Sequence, residues 1–559
     1  MKRTVFLAVL LLLSMAVFTG CRGSDTPTPP PQAQVTPAPA APGAQAPEDV
    51  APASAQITFP FENTVRFSMA ATRLDANPMV QDVPIVQELM AYANVEIDWV
   101  DWPSSALSER MALAFATGDY PDALFGAWIL GMGGVMNYSA QGFLVPLEEY
   151  FIPEIMPNWY RVVRDRPHWI QELVTPDGHI YATASLSEWA PRPFQDAHFI
   201  NQTWLNRLNL NLPTTTDELV NVLRAFRDNA DILNPNGVIP MSLFWGNHMR
   251  GFNSMMGWWG QSATQGGFSM RGDTVVMDAT TQEYRDMIRF FSQLHSEGLI
   301  DQELFTHNNA MFLAKIQSDP PMVGVFPDWG FGYVGQTAED TGYDIVMLPP
   351  LSAAPGVTPM WSARVHPFTG NMGFHLTDRS DPAIRPYIMA FIDLFYDPMI
   401  SIRNNIGELG HNIRHVEGRY FELIHEASLP ALERAAYGLT NRGIWMIFND
   451  EFAWREQSTR DIWEQQNRDL LDPFVDPNPF PNMWMPLELV EERAVLLADI
   501  NSFILMQAAR WVSGEGDVDA EWDNYIAQLN AMGLQRLLQI QQNAYDASPF
   551  SAANPWRYR

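Results

Sequence analysis

The chain has 559 residues, 47% of them apolar and 18% charged, with a net charge of −30. At about 100–200 residues per domain that length holds two to four domains or two large lobes, and the apolar share excludes a globally disordered chain. The acidic balance excludes nucleic acid, whose phosphates demand a basic face, and argues against adsorption of the body to an anionic membrane. Cys21 is the single cysteine, so the body holds no disulfide, no cysteine zinc site and no thiol nucleophile. Lys2 and Lys315 are the only lysines. No Gly-Lys-Ser/Thr loop exists, which excludes nucleotide hydrolysis by that route, and Schiff-base chemistry would rest on Lys315 alone.

Lys2 and Arg3 precede an apolar run over residues 5–18, which Phe18-Thr19-Gly20-Cys21 closes. A charged start, a short apolar region and small residues before the cut read as an export signal over residues 1–20. The run is shorter than the roughly 20 residues needed to span a bilayer. Cys21 resembles the lipobox cysteine of bacterial lipoproteins, which is lipidated and becomes the first residue of the mature chain. An ordinary secretory signal is the alternative. Residues 21–56 are rich in Pro, Ala and Thr and read as an extended tether, at about 3.1 Å per residue.

The body begins near Ile57. Val65 to Met69 reads as a strand, Pro84 to Ala93 as a helix, and Val95 to Val100 as a second strand by its alternation. Ser105 to Thr117 reads as a helix, with Gly118 where a helix-ending glycine belongs. Pro121 to Phe125 reads as a third strand, and the βαβαβ order indicates an α/β lobe with a largely parallel sheet. A turn at 176–179 precedes a short strand over Ile180 to Thr183. Thr215 to Glu218 reads as a capping box before a helix carrying Leu219, Val222, Leu223 and Phe226 on one stripe. A second box, Thr280 to Glu283, opens a helix with Tyr284, Met287, Ile288, Phe291 and Leu294, ended by Gly298. The glycine- and tryptophan-rich stretch 244–260 lacks periodicity and reads as loop. Met322 to Phe326 and Asp344 to Leu348 read as strands, 349–359 as a Pro-rich linker, and Ile384 to Tyr396 as a helix. From Leu487 onward the chain reads as three helices.

Chemistry-bearing motifs are few. His411 and His415 lie four residues apart, but the glutamate of a zincin and a third ligand are missing, so no metal site is expected. Arg271-Gly272-Asp273 reads as a tight turn. No Gly-x-Ser-x-Gly elbow and no dinucleotide fingerprint occurs. Glu188, Asp328, Asp450 and Glu451 each neighbour an aromatic and keep a two-carboxylate glycosidase open as an alternative. The 19 tryptophans are a heavy load. The aromatic stations are Trp128, Trp189, Trp245, Trp258, Trp259, Trp329, Trp361 and Trp445; several sit beside glycines, at predicted strand ends or in loops, and open α/β sheets bind ligands outside the strand ends. Ring faces of this kind suit sugars, although core packing is as good a reading for any one of them. The candidate ligand-binding set is Trp128, Trp189, Trp245, Trp258, Trp259, Trp329, Trp361 and Arg364. An anionic sugar would call on arginines such as Arg192, Arg250 or Arg364.

Five stretches carry a family resemblance: 111–122 (helix, Thr-Gly-Asp, Pro-Asp), 177–182 (Asp-Gly-His-Ile-Tyr-Ala), 204–219, 235–242, and above all 522–546 at the last two helices. With the Cys21 signal, they resemble the extracellular solute-binding lipoproteins of ABC transporters, family 1 (sugar-binding) type, long lipoprotein branch. His179 stands where the family usually has lysine. The resemblance implies an α/β periplasmic-binding-protein-like II fold, with two α/β lobes around a ligand cleft and an extended helical C-terminal region. Lobe 1 is expected over 57–190 and 360–400, and lobe 2 over 191–359 and 401–559. It further implies a non-enzymatic, monomeric protein without cofactor or metal. That protein would be lipid-anchored outside the cytoplasmic membrane and would pass an oligosaccharide to an ABC permease and its ATPase. A sensor kinase is the other conceivable partner. The matched motifs are structural and transfer no binding residues.

Overall fold

A computed structural model describes residues 56–548, except 76, 127, 188–196, 247–250, 263–265, 329–341, 362–367, 406, 411–412, 417–418, 423–437, 440–442, 449–451, 454–469, 477 and 479. Its strands in chain order are β1 Val65–Arg73, β2 Val95–Pro103, β3 Ala123–Phe125, β4 Thr183–Ser187, β5 Ala197–Asn201, β6 Ile239–Met241, β7 Phe268–Arg271 and β8 Thr274–Met277. They continue with β9 Val323–Asp328, β10 Ile345–Leu348, β11 Phe368–Leu376, β12 Ile413–Val416, β13 Arg419–Glu422, β14 Met446–Ile447 and β15 Phe452–Ala453.

The first lobe is built on a six-stranded sheet of order β14-β4-β11-β3-β1-β2. β1 pairs in parallel with β2 and β3, and β14 with β4, while β11 runs antiparallel between β3 and β4. The local sequence explains the first crossover. Pro84 opens helix Pro84–Ala93, Ile85, Val86, Leu89 and Ala93 form its buried stripe, and Asn94 ends it in the left-handed conformation. Helix Leu107–Thr117 ends on Gly118 at φ +72°, as its sequence suggests. The short strand expected at Ile180 to Thr183 forms later, as β4.

The second lobe is built on a four-stranded sheet of order β10-β5-β9-β6. Helix Thr216–Asp228 is capped by Thr215, whose hydroxyl accepts from Glu218 N at 3.2 Å, while Glu218 reaches back to Thr214. The next cap is Thr281, one residue later than the sequence suggests, and it accepts from Tyr284 N. Arg271-Gly272-Asp273 does form the tight turn of the β7–β8 hairpin, with Gly272 at φ +62°. His415 lies in β12 opposite Tyr420, in an extended hairpin and not on a helical turn, and His411 lies outside the described residues.

The sequence reading moves to the second lobe near residue 400, but the structure keeps the chain on the first sheet. Helix Pro398–Asn405 holds the following segment through side chains: Asn404 accepts from Leu439 N and donates to Ile444 O, and the Ser401 hydroxyl accepts from Met446 N. β14 then joins the sheet beside β4. Leu439, Ile444, Met446 and Phe448 are buried in the first core.

Three helices close the chain, as read: Leu487–Ser513, Val518–Ala531 and Leu534–Ala547. The first is long and apolar enough to cross a membrane by length and composition. Here it is a packing helix, burying Ile500, Ile504, Ala508 and Trp511 in the second core.

Candidate ligand site at the facing strand ends

Connectivity links two sheet edges. In the first sheet β1 to β4 and β14 all end on the edge where β11 begins; in the second, β6, β9 and β10 end where β5 begins. The chain leaves β4 at Ser187 and enters β5 at Ala197; it leaves β10 at Leu348 and enters β11 at Phe368. Each crossover joins the same two edges. Ligands of open α/β sheets bind outside the carboxyl ends of strands, so this is the candidate site.

Trp128 stands at that edge, three residues beyond β3. Gly126 N donates to Gly373 O at 2.7 Å and Ile129 N donates to Gly126 O, so the turn is pinned on both sides. Ile129 and Leu130 are buried, whereas Trp128 is 52% exposed. Its backbone is left-handed at φ +66°, an uncommon conformation for a bulky residue. The chain accepts that conformation in order to aim an indole outward.

Trp245 follows β6 on the second edge. Its ring is partly buried, stacked on Phe252 at 4.4 Å and edge-on to Phe305 at 4.8 Å. The loop that carries it is fixed from below. His307 Nε2 donates to Leu243 O at 2.8 Å, Asp301 N donates to Met241 O, and the Ser242 hydroxyl donates to Asp301 at 2.8 Å. Lys315 donates to Asp301 at 2.7 Å and to Glu303 at 2.9 Å. Burial works against the ammonium, but the two carboxylates outweigh it and raise its pKa. A lysine held protonated between two carboxylates is a poor amine nucleophile. Sequence reasoning noted Lys315 for its rarity and missed this support. Asp328, buried, ends β9 on the same edge.

The other aromatic candidates divide. Trp258 is fully buried and its Nε1–H donates to Nδ1 of His198 at 3.2 Å. That bond leaves Nε2 of His198 as the protonated nitrogen facing the Ser254 hydroxyl, and burial pushes the imidazole down to about 3, so it is neutral. Trp259 is packed against Phe290 and Trp258. Trp361 is 4% exposed, with its backbone paired to Phe474 and Asp476. Trp445 is also core. These four are therefore packing residues, a correction to the candidate set for Trp258, Trp259 and Trp361. The stretch 252–259, read as loop, is a 3-10 helix whose apolar residues turn inward. Trp189, Trp329, Arg364 and Cys21 lie outside the described residues, as do Arg192, Arg250, Glu188, Asp450 and Glu451.

No protein-family model matches the chain. It is 28% identical over 567 residues to the fructooligosaccharide ABC transporter substrate-binding protein FusA of Streptococcus pneumoniae, covering 96% of this chain and 97% of that one. The structure of FusA in complex with kestose superposes with a TM-score of 0.74 at 25% identity, over 86% of this chain and 99% of the other. An HMO-binding, ABC-transporter-associated solute-binding protein of Bifidobacterium longum infantis gives a TM-score of 0.75 at 22% identity, over 86% of this chain and 99% of the other. The fold is that of the ABC-transporter solute-binding proteins. The solute-binding fold accounts for the facing strand ends, the repeated crossovers and the C-terminal helices together.

Proposed function

We propose that the protein is the substrate-binding component of an ABC importer, and that it captures an oligosaccharide between the two strand-end edges. Trp128 carries this reading: it is an exposed indole at a strand end of the solute-binding fold, held by a pinned turn. Trp245, and Trp189, Trp329 and Arg364 on the segments that leave the same edges, complete the proposed lining. The protein would be a monomer anchored outside the cytoplasmic membrane by a lipid on Cys21, and would hand its ligand to a membrane permease without chemical change. The likeness to sugar-binding relatives over nearly the whole chain supports this.

The test is a thermal-shift screen over neutral and acidic oligosaccharides, followed by calorimetry on the hits. A ligand at 100 times its Kd adds about 2.7 kcal/mol of apparent stability. Binding without new reducing ends is expected. Product release would make the protein an enzyme, and a panel without any shift would remove the carbohydrate reading.

A further inference from the structure

The β7–β8 hairpin lies outside both main sheets, and against it the second lobe buries a carboxylate. Asp278 follows β8 directly and is 5% exposed. Its backbone is fixed on both flanks. Asp278 N donates to Gly267 O at 2.9 Å, and Asp278 O accepts at 2.7 Å from the hydroxyl of Thr281, the cap of helix Gln282–Ser296. Gln261 Nε2 donates to Asp278 Oδ1 at 2.6 Å and to Ser269 Oγ at 2.7 Å, and the Ser269 hydroxyl bonds the carboxyl as well.

Three further oxygens of this neighbourhood are buried without a partner among the described residues: Gln261 Oε1, Ser262 Oγ and the Tyr284 hydroxyl. Buried polar atoms are normally satisfied, so three together ask for a ligand. Gln261 Oε1 shares its carbon with the nitrogen that touches Asp278. Tyr284 lies in the first turn after the Thr281 cap. Burial and the Asp278 charge both raise the pKa of its hydroxyl, which stays a neutral oxygen. A carboxylate, an amide oxygen and hydroxyls are ligands for a hard cation.

Charge selects the kind of cation. Arg271 and Glu283 also act on Asp278, but they pair with each other at 2.6 Å and offset one another. One negative charge remains. A divalent ion would leave an uncompensated buried charge, which is costly. No three His, Cys, Asp or Glu side chains gather among the described residues to balance one.

We propose that Asp278, Gln261 and Tyr284 form a binding site for one monovalent alkali cation, sodium or potassium, with Ser262 and Ser269 completing the oxygen set. The cation neutralises the carboxylate, gives the unpartnered oxygens a partner, and ties residues 261–262, the hairpin and the start of helix Gln282–Ser296 to one another. Without alkali cations the carboxyl takes a proton instead as pH falls through about 7. The site is independent of the oligosaccharide reading.

The test melts the full chain carrying Cys21→Ser at about pH 8.5, where Asp278 is ionised, in choline, sodium or potassium chloride at equal ionic strength. Sodium or potassium at about 0.15 M should raise the melting temperature by about 3 °C over choline. The protein should also broaden the sodium NMR line, and potassium should reverse the broadening. Asp278→Asn should abolish both effects. Tyr284→Phe keeps the ring and should raise the cation midpoint by about three- to tenfold, the worth of one hydrogen bond; it covers the case in which Asp278→Asn does not fold. Equal melting of the wild type in all three salts would mean that water or a proton alone fills the site and would overturn the proposal, as would a cation effect that both variants retain. Stabilisation by calcium alone, lost in Asp278→Asn, would overturn the monovalent assignment.

Discussion

Trp128 carries its ring on a left-handed backbone, a conformation that costs a bulky residue about 1–3 kcal/mol. Glycine adopts that conformation freely. Trp128→Gly should therefore keep or raise the melting temperature while lowering oligosaccharide affinity, by about two- to tenfold for a stacking contact of about 0.5–1.5 kcal/mol beyond area burial. Calorimetry and a thermal melt on the same sample separate the two effects. Unchanged affinity would mean that the ring is not a platform. Sequence showed Trp128 as one of several indoles near glycines and strand ends, and could not rank them. What ranks them is burial: Trp258 gives its N–H to His198, 60 residues away, and that bond is invisible in a local pattern. The neighbourhood of rings and glycines marks the core and the site alike.

Between elements, glycine also decides how closely the crossover linker approaches the second lobe. A Cβ on Gly257 would lie 1.9 Å from Met360 O, and Met360 N donates to Gly257 O at 2.8 Å. The linker thus lies directly on the 3-10 helix Phe252–Trp259, which holds Trp258 and Trp259 in place. Gly257→Ala should cost about 1–3 kcal/mol by overpacking, read as a lower urea midpoint with an unchanged m-value. A wild-type midpoint would show that the linker gives way freely. This contact explains why periodicity failed over 244–260: short 3-10 turns lack the repeat that marks an amphipathic helix. Elements with a full stripe, such as Thr216–Asp228 and the three last helices, were legible to within about three residues because their faces are set locally. The late return from the first sheet was not, because Asn404 and Ser401 bind backbone about 35–45 residues away.

Across the whole molecule the sequence-level claim with the sharpest consequence is the anchor. Cys21→Ser should release a folded, ligand-competent protein from membranes, seen by fractionation and calorimetry; a variant that stays membrane-bound would refute lipidation at Cys21. Stability against pH depends on groups spread over both lobes. Burial raises Asp278 and Asp393 to about 7, so below that pH the folded state holds protons that the unfolded state, with an Asp near 3.8, has released. Their contribution to stability grows as pH falls from about 7 towards 4, by about 1.4 kcal/mol per unit for each proton. Burial lowers His198 to about 3 and His375 to about 4, from 6.5. Below 6.5 the unfolded state takes protons that these folded imidazoles refuse, so their contribution falls with the same slope. These two rising and two falling contributions nearly cancel one another between about pH 4.5 and 6.5. Asp278→Asn should break the balance. Asn keeps the Oδ1 acceptor that Asp278 offers to Gln261 Nε2, and Arg271, Glu283 and Tyr284, the charged or titratable groups around it, stay unchanged. The variant should therefore equal or exceed the wild type at pH 7 and lose ground by about 1.4 kcal/mol per unit on acidification, measured by urea unfolding at half-unit steps. Parallel stability curves for the two proteins would mean that the Asp278 carboxyl titrates alike in the folded and unfolded chain.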